Sequence, residues 1–194
     1  MSARADSAEL TFERIVDAML HRFATTPYER IRLDDIAADA GVTVQTVIRR
    51  FGGKAPLLCV VVERELGRIA AARAAAARAS AAETVAALVE HYEVYGDLIL
   101  KAYAEAPLVE GLPALTERGR EYHVHWCRQV FEPRLAPGLD EATLAVRRAQ
   151  VVAICDATTW RILRRDGALG PAGVERAISE LLAPLLAEWP GGGA

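Results

Sequence analysis

Residues 36–51 limit the possible folds more than any other stretch of the chain. The segment reads Ile-Ala-Ala-Asp-Ala-Gly-Val-Thr-Val-Gln-Thr-Val-Ile-Arg-Arg-Phe. Ala37 is small enough for two helices to cross closely. Gly41 stands four residues later, where the chain must turn and glycine adopts a positive φ without a steric cost. Thr43 is a good N-cap for a following helix. Val42, Val47 and Phe51 then fall where they can pack back on Ile36 and Ala37. The spacing predicts a short helix over 33–40, with Asp34 and Asp35 in a first turn that favours negative charge. A glycine turn and a second helix over 43–51 follow, closed by Gly52-Gly53. That pattern is a helix-turn-helix.

The second helix has two distinct sides. At about 100 degrees per residue, Phe51 and Thr43 lie within about 40 degrees of Val47 and mark a buried side. Gln45 and Arg49 lie about 160 and 200 degrees from Val47, flanked by Thr46, Ile48 and Arg50. These outward groups can reach base edges or phosphates; arginine forks onto guanine and glutamine onto adenine. No Asp or Glu occurs between Ala40 and Val62, whereas Arg49, Arg50 and Lys54 all do. Lys54 opens the next helix, where its ammonium and the free N–H groups of that helix can hold a phosphate.

Whole-chain quantities restrict the partners. Net charge is −3 over 194 residues, so binding to nucleic acid must come from a local basic surface. Cys59, Cys127 and Cys155 are far apart, odd in number and form no CxxC pair. A disulfide framework and a zinc site are therefore not expected, and a reducing cytoplasm is. The polar N-terminus lacks an apolar signal core. The most apolar run, 55–62, falls far short of the ~20 residues of a membrane span.

Helical periodicity continues to the end, and strand-like alternation is absent. A first helix is expected after Asp6, with Phe12, Ile15, Val16, Met19, Leu20 and Phe23 on one face and a stop before Pro27. Longer helices are expected over 55–80, 83–104, 115–135, 140–166 and 171–189, with Pro107, Pro113, Pro133, Pro137 and Gly138 at the breaks. Pro184 should kink the last helix or end it early, and the tail 191–194 should be disordered. The alanine-rich stretch 70–79, with Arg73 and Arg78, reads as a solvated helical spacer. The expected fold class is all-α: an N-terminal three-helix helix-turn-helix domain over 1–54, then a larger helical domain over 55–194 for ligand binding and dimerisation.

Residues 15–63 resemble the DNA-binding domain of the tetracycline-repressor (TetR) family. The resemblance rests on Ile15-Val16-Asp17-Ala18, Phe23-Ala24, Asp35-Ile36-Ala37, Ala40-Gly41-Val42, Thr46, Arg49, Phe51 and Lys54 followed by Leu57-Leu58. Trp160-Arg161-Ile162-Leu163 and Asp166-Gly167 are similar to the end of the penultimate helix in many members. The chain departs from the family at Ile48, where a phosphate-touching tyrosine is usual, at Arg50, often histidine, and at Arg32, often Ser or Thr. Ile48 suits a thymine methyl instead, and Arg32 or Arg50 can supply the backbone contact. The candidate DNA-binding set is Arg32, Thr43, Val44, Gln45, Thr46, Ile48, Arg49, Arg50 and Lys54. The implied partner is a palindromic double-stranded operator, read by a homodimer whose half-sites lie ~34–36 Å or a multiple apart.

The last two helices are the expected dimer face. Between Val151 and Trp160 the only charge is Asp156. Val151, Ile154, Thr158 and Ile162 fall on one side and Ala149, Ala153 and Trp160 on the other, as in a helix covered on both faces. The resemblance also implies an effector pocket, for an unknown and largely apolar small molecule. Tyr92, Tyr95 and Tyr103 share a face with Leu88 and Ile99, and Trp126 shares one with Tyr122, His123 and Val130. Such aromatics suit a pocket with a few orienting polar groups, or a plain core. Asp156 suits a ligand contact or an arginine partner, and Trp160 completes the candidate ligand set. His123 and His125 point about 160 degrees apart on a helix, so no metal is expected; no cofactor or catalytic residue is expected either. The expected function is a dimeric regulator, a repressor released by its effector. An activator of the same fold and an all-helical small-molecule binding protein are the alternatives.

Overall fold

The computed structural model describes residues 3–76 and 80–187. Among them every regular element is helical. The α-helices are α1 (Ala3–Thr25), α2 (Leu33–Asp39), α3 (Val44–Phe51), α4 (Lys54–Ala76), α5 (Ala81–Glu105), α6 (Leu112–Phe131), α7 (Glu141–Ile154), α8 (Ala157–Arg161) and α9 (Pro171–Leu182). The expected disorder of 191–194 and residues 77–79 of the helix expected over 55–80 fall on undescribed residues; Ser80 itself lies outside the helix, its hydroxyl accepting the Glu83 N–H at 3.3 Å at the start of α5. α1 starts at Ala3, ahead of the start expected after Asp6.

The chain forms two compact units, one of residues 1–67 with 101–117, the other of 68–100 with 118–194. In the first, α1 buries Ile15, Val16, Met19 and Phe23, and α4 buries Leu57, Leu58 and Val61. Arg22 forks onto Asp39, Nε to Oδ2 at 2.5 Å and Nη2 to Oδ1 at 2.9 Å, joining α1 to α2. Arg64 on α4 meets Glu13 at 2.7 Å and Asp17 at 2.8 Å, joining α4 to α1.

The second unit is built on a core that includes Val85, Leu88, Val89, Trp126, Phe131, Val151, Trp160, Val174, Ile178 and Leu182. Each fully buried large side chain there contributes about 1.5–3 kcal/mol. Gly96 on α5 is required by close approach: a Cβ there would lie 2.4 Å from Cζ3 of Trp160. The Trp160 indole is wholly buried and donates from Nε1 to Glu93 at 2.9 Å.

The helix expected over 140–166 is interrupted. α7 ends at Ile154, and Asp156 takes an extended conformation and accepts from the Thr158 N–H at 2.7 Å. Thr159 donates to Ala153 O at 2.6 Å, satisfying a carbonyl at the end of α7. Asp156 is therefore an N-cap, and Asp-x-Thr-Thr was the sequence signal for it. The break shifts the helical phase. Trp160 is buried along with Val151, Cys155 and Ala157 rather than facing the opposite way, while Ile162 is exposed. A π-helical turn, Ile162–Asp166, follows α8. Pro184 ends the last α-helix early, and Ala183–Leu185 forms a 3-10 turn.

Candidate nucleic-acid interface

α3 is fixed at both ends by local chemistry. Oγ1 of Thr43 accepts the Thr46 N–H at 3.2 Å, and the two hydroxyls lie 2.9 Å apart. Such a cap contributes about 1 kcal/mol. At the other end Gly52 has a φ of 83° and donates to Ile48 O at 2.8 Å. The preceding turn closes on Gly41, whose φ is 63°, with Val42 N–H donating to Ala37 O at 2.9 Å.

Val47 is fully buried, as the wheel required. Phe51 packs on Phe12 with ring centroids 5.3 Å apart, and the Arg50 guanidinium lies 5.7 Å from the Phe12 centroid. Gln45, Ile48, Arg49 and Arg50 are exposed; Val44 and Thr46 are half-buried. Arg32 is exposed and 3.7 Å from Asp34. α3 thus presents glutamine, isoleucine and two arginines outward, with the Thr43 and Thr46 hydroxyls already paired.

Lys54 is drawn inward. Its Nζ donates to Tyr28 O at 2.9 Å and Ile31 O at 3.0 Å and lies 4.1 Å from the Tyr28 ring centroid. Burial lowers its pKa from the ordinary value, opposed by the Glu29 charge. Two of its three protons are thereby committed to the 3-10 turn Tyr28–Arg30 and its C-cap Ile31, which lead into α2, leaving one free. The same turn is held from the other side: Tyr28 N–H donates to Oε2 of Glu105 at 2.9 Å, and Lys101 meets Oε1 of Glu105 at 2.5 Å. Glu105 has no sequence signal, because it stands 77 residues from Tyr28.

The second unit contains most of the aromatic set expected to line a pocket. Tyr92, His123, Trp126 and Trp160 are buried, while Tyr95, Tyr122 and Asp156 are half-buried. Tyr103 is half-buried in the first unit. His123 is buried and His125 exposed. Asp156 spends one carboxylate oxygen on the α8 cap.

The residue that organises this cluster is Arg73, which the sequence placed in a solvated spacer. It is 5% exposed. Alanine neighbours suggested solvent, but Arg73 lies four residues after the buried Ile69 and shares its side of α4. Nη1 donates to Nδ1 of His123 at 3.1 Å and Nη2 to the Tyr92 hydroxyl at 3.0 Å. The guanidinium carbon lies 5.4 Å from the Tyr92 centroid and 5.0 Å from that of Trp126. The Tyr92 hydroxyl donates in turn to Cys155 O at 2.8 Å. His123 accepts at Nδ1, which leaves Nε2–H to face Val152 O at 3.3 Å. The rings of His91 and Tyr92 are 5.3 Å apart. Burial, then the charge of Arg73, lowers the His91 pKa to about 3. Contact with Cys155, together with His123 and Arg73, draws the Cys127 thiol downward against the effect of burial.

A capped helix presenting Gln, Arg and Arg, seated by a glycine turn on two further helices, defines a helix-turn-helix DNA-binding protein. Residues 15–59 match the family model of the bacterial regulatory proteins of the tetR family. Over those residues the chain carries a DNA-binding domain of the type found in bacterial regulators of that family. Solved structures share the fold. The regulator FadR from Bacillus subtilis, in complex with stearoyl-CoA, is 18% identical, with 88% of this chain and 97% of that one covered and a TM-score of 0.66. NalD of Pseudomonas aeruginosa, the secondary repressor of the MexAB-OprM multidrug efflux pump, is 19% identical, with coverage of 94% and 100% and a TM-score of 0.65. A regulator from Saccharomonospora viridis in complex with choline is 16% identical, with coverage of 92% and 98% and a TM-score of 0.65. No curated protein sequence is a match. Among the described residues no helix is long and apolar enough to cross a membrane.

Proposed function

We propose that the protein is a cytoplasmic homodimeric repressor that leaves a palindromic operator when a small molecule binds its second unit. The observation that carries the DNA-reading half is the outward face of α3. Gln45 and Arg49 are exposed, and neither has a hydrogen-bond or ion-pair partner among the described residues. In this reading they take base edges, with Thr46 beside them and Val44 and Ile48 in apolar contact with thymine methyls. Arg32, Thr43 and Arg50 take phosphates and set the register, while Lys54 holds the turn that leads into α2 through the carbonyls of Tyr28 and Ile31.

A dimer through the last two helices is supported by exposed apolar groups on α7 and α9 and in the turn after α8: Val146 at 56%, Ile162 at 50% and Leu181 at 47%. Effector responsiveness is supported by the buried aromatic cluster and by relatives of the same fold that hold stearoyl-CoA or choline. Release requires the effector to bind the DNA-incompetent arrangement more tightly than the competent one, and α4 is the element that would carry that difference to the first unit.

The test is binding of the full chain to duplex DNA from its own promoter. A shift abolished by Arg49→Ala supports the reading. No shift at low salt, or an unchanged one with Arg49→Ala, overturns it. Light scattering should give twice the chain mass of 21.0 kDa. A reporter in the deletion strain separates repression from activation by the sign of the change. Tight ligand binding with no effect on operator affinity would instead favour a small-molecule binding protein.

A further inference from the structure

We propose that the Arg73–Tyr92–His91 cluster is the seat of a carboxylate, so that the effector is an organic acid with an apolar body; this rests on the effector-responsive reading and deepens it. A guanidinium carries a full charge and five N–H groups. Arg73 is 95% buried, being 5% exposed, yet its two hydrogen-bond partners, His123 and Tyr92, are both neutral acceptors. Among the described residues no carboxylate pairs with it. Its Nε is buried with no partner. A charge left so is unfavourable unless a counter-charge arrives, and stacking on Tyr92 and Trp126 offsets only part of that.

A second orphan belongs to the same cluster. His91 is 8% exposed, and its Nε2 is buried and unpartnered. Its ring packs on Tyr92, as the Arg73 guanidinium does. Nothing fixes its tautomer, so the neutral ring can place its proton on Nε2 and donate. One carboxylate accepts from both groups, since its two oxygens offer about four lone-pair sites. Water can satisfy the two donors but brings no charge. The Cys127 thiol lies 3.6 Å from Nε2 of His123, and no hydrogen bond joins it to Arg73 among the described residues. A phosphate dianion would ask for more donors than the cluster offers. The rings of Tyr92, Tyr95 and Trp126 nearby suit an apolar body behind a single acidic head.

The test is calorimetric titration of the full chain, without DNA, with octanoate and phenylacetate. Octanol and phenylacetamide present the same bodies without the charge. The acids should bind at least about tenfold more tightly than their neutral counterparts. Arg73→Met should abolish that preference while still binding the neutral compounds. Its melting temperature should hold or rise, because it removes an uncompensated buried charge. Should Arg73→Met fail to fold, His91→Phe provides the second variant, with a smaller loss of preference for the acids. Equal binding of acid and neutral forms, a preference that survives Arg73→Met, or no binding of either acid at millimolar concentration overturns the proposal. The two readings fail separately. Acids that bind but leave operator affinity unchanged keep the site and remove its regulatory role. Acids that do not bind, beside an intact Arg49-dependent shift, remove the site alone.

Discussion

Lys54→Met separates two roles for the lysine that opens α4. As a phosphate ligand it would contribute about 0.9 to the slope of log affinity against log salt. In the structure its Nζ instead donates to the carbonyls of Tyr28 and Ile31. Hydrogen bonds to charged groups contribute about 1.5–3 kcal/mol each. Lys54 is half-buried, so solvent replaces part of that, and the pair together contributes about 2–3 kcal/mol. For a chain of this length each kcal/mol moves the melting temperature by about 2–4 °C. The variant should therefore melt roughly 4–12 °C lower. Operator affinity should fall through loosened seating of α2, with a slope change well below 0.9. Melting followed by circular dichroism and DNA anisotropy across a salt series measure both quantities. A slope reduced by about 0.9 at an unchanged melting temperature would refute the positioning role.

Gly96→Ala gains about 1 kcal/mol in helix propensity, but the new Cβ meets the Trp160 ring at 2.4 Å. Overpacking costs about 1–3 kcal/mol in a core, and the indole is tethered to Glu93, so melting should drop by several degrees; a rise would show that the ring yields. His91 has a folded pKa of about 3 against an ordinary 6.5. Its contribution is full above about pH 6.5 and is lost as pH falls toward 3, because the unfolded chain takes the proton first, at up to about 1.4 kcal/mol per pH unit. Denaturation curves between pH 7 and 4 should show that loss, smaller in His91→Gln; equal slopes for the two proteins would contradict it. Asp156→Ala removes the α8 cap and should cost about 1 kcal/mol, read as a lower urea midpoint at unchanged slope; an unchanged midpoint would deny the cap its weight.

Local chemistry is what the sequence made legible. Gly41, Thr43, Val47 and Gly52 act within a few residues of their partners, so the turn, the caps and the buried side of α3 follow from spacing. Pro184 ended its helix for the same reason. What escaped depends on distant residues. Arg73 took its meaning from His123 and Tyr92, 50 and 19 residues away, while its alanine neighbours pointed to solvent. Glu105 gained a role only when folding brought it to Tyr28. The break at Asp156 was local and still missed, because an unbroken apolar run outweighed a cap signal inside it, and the phase of every later side chain shifted with it.

The caps of α3 also bear on how the protein would meet DNA. Thr43 and Gly52 hold both ends of the helix with the chain's own atoms, so its backbone order does not depend on a partner. Association would then involve little coupled folding. Its heat-capacity change should match the surface brought together, without the large extra term seen when a disordered segment orders on binding.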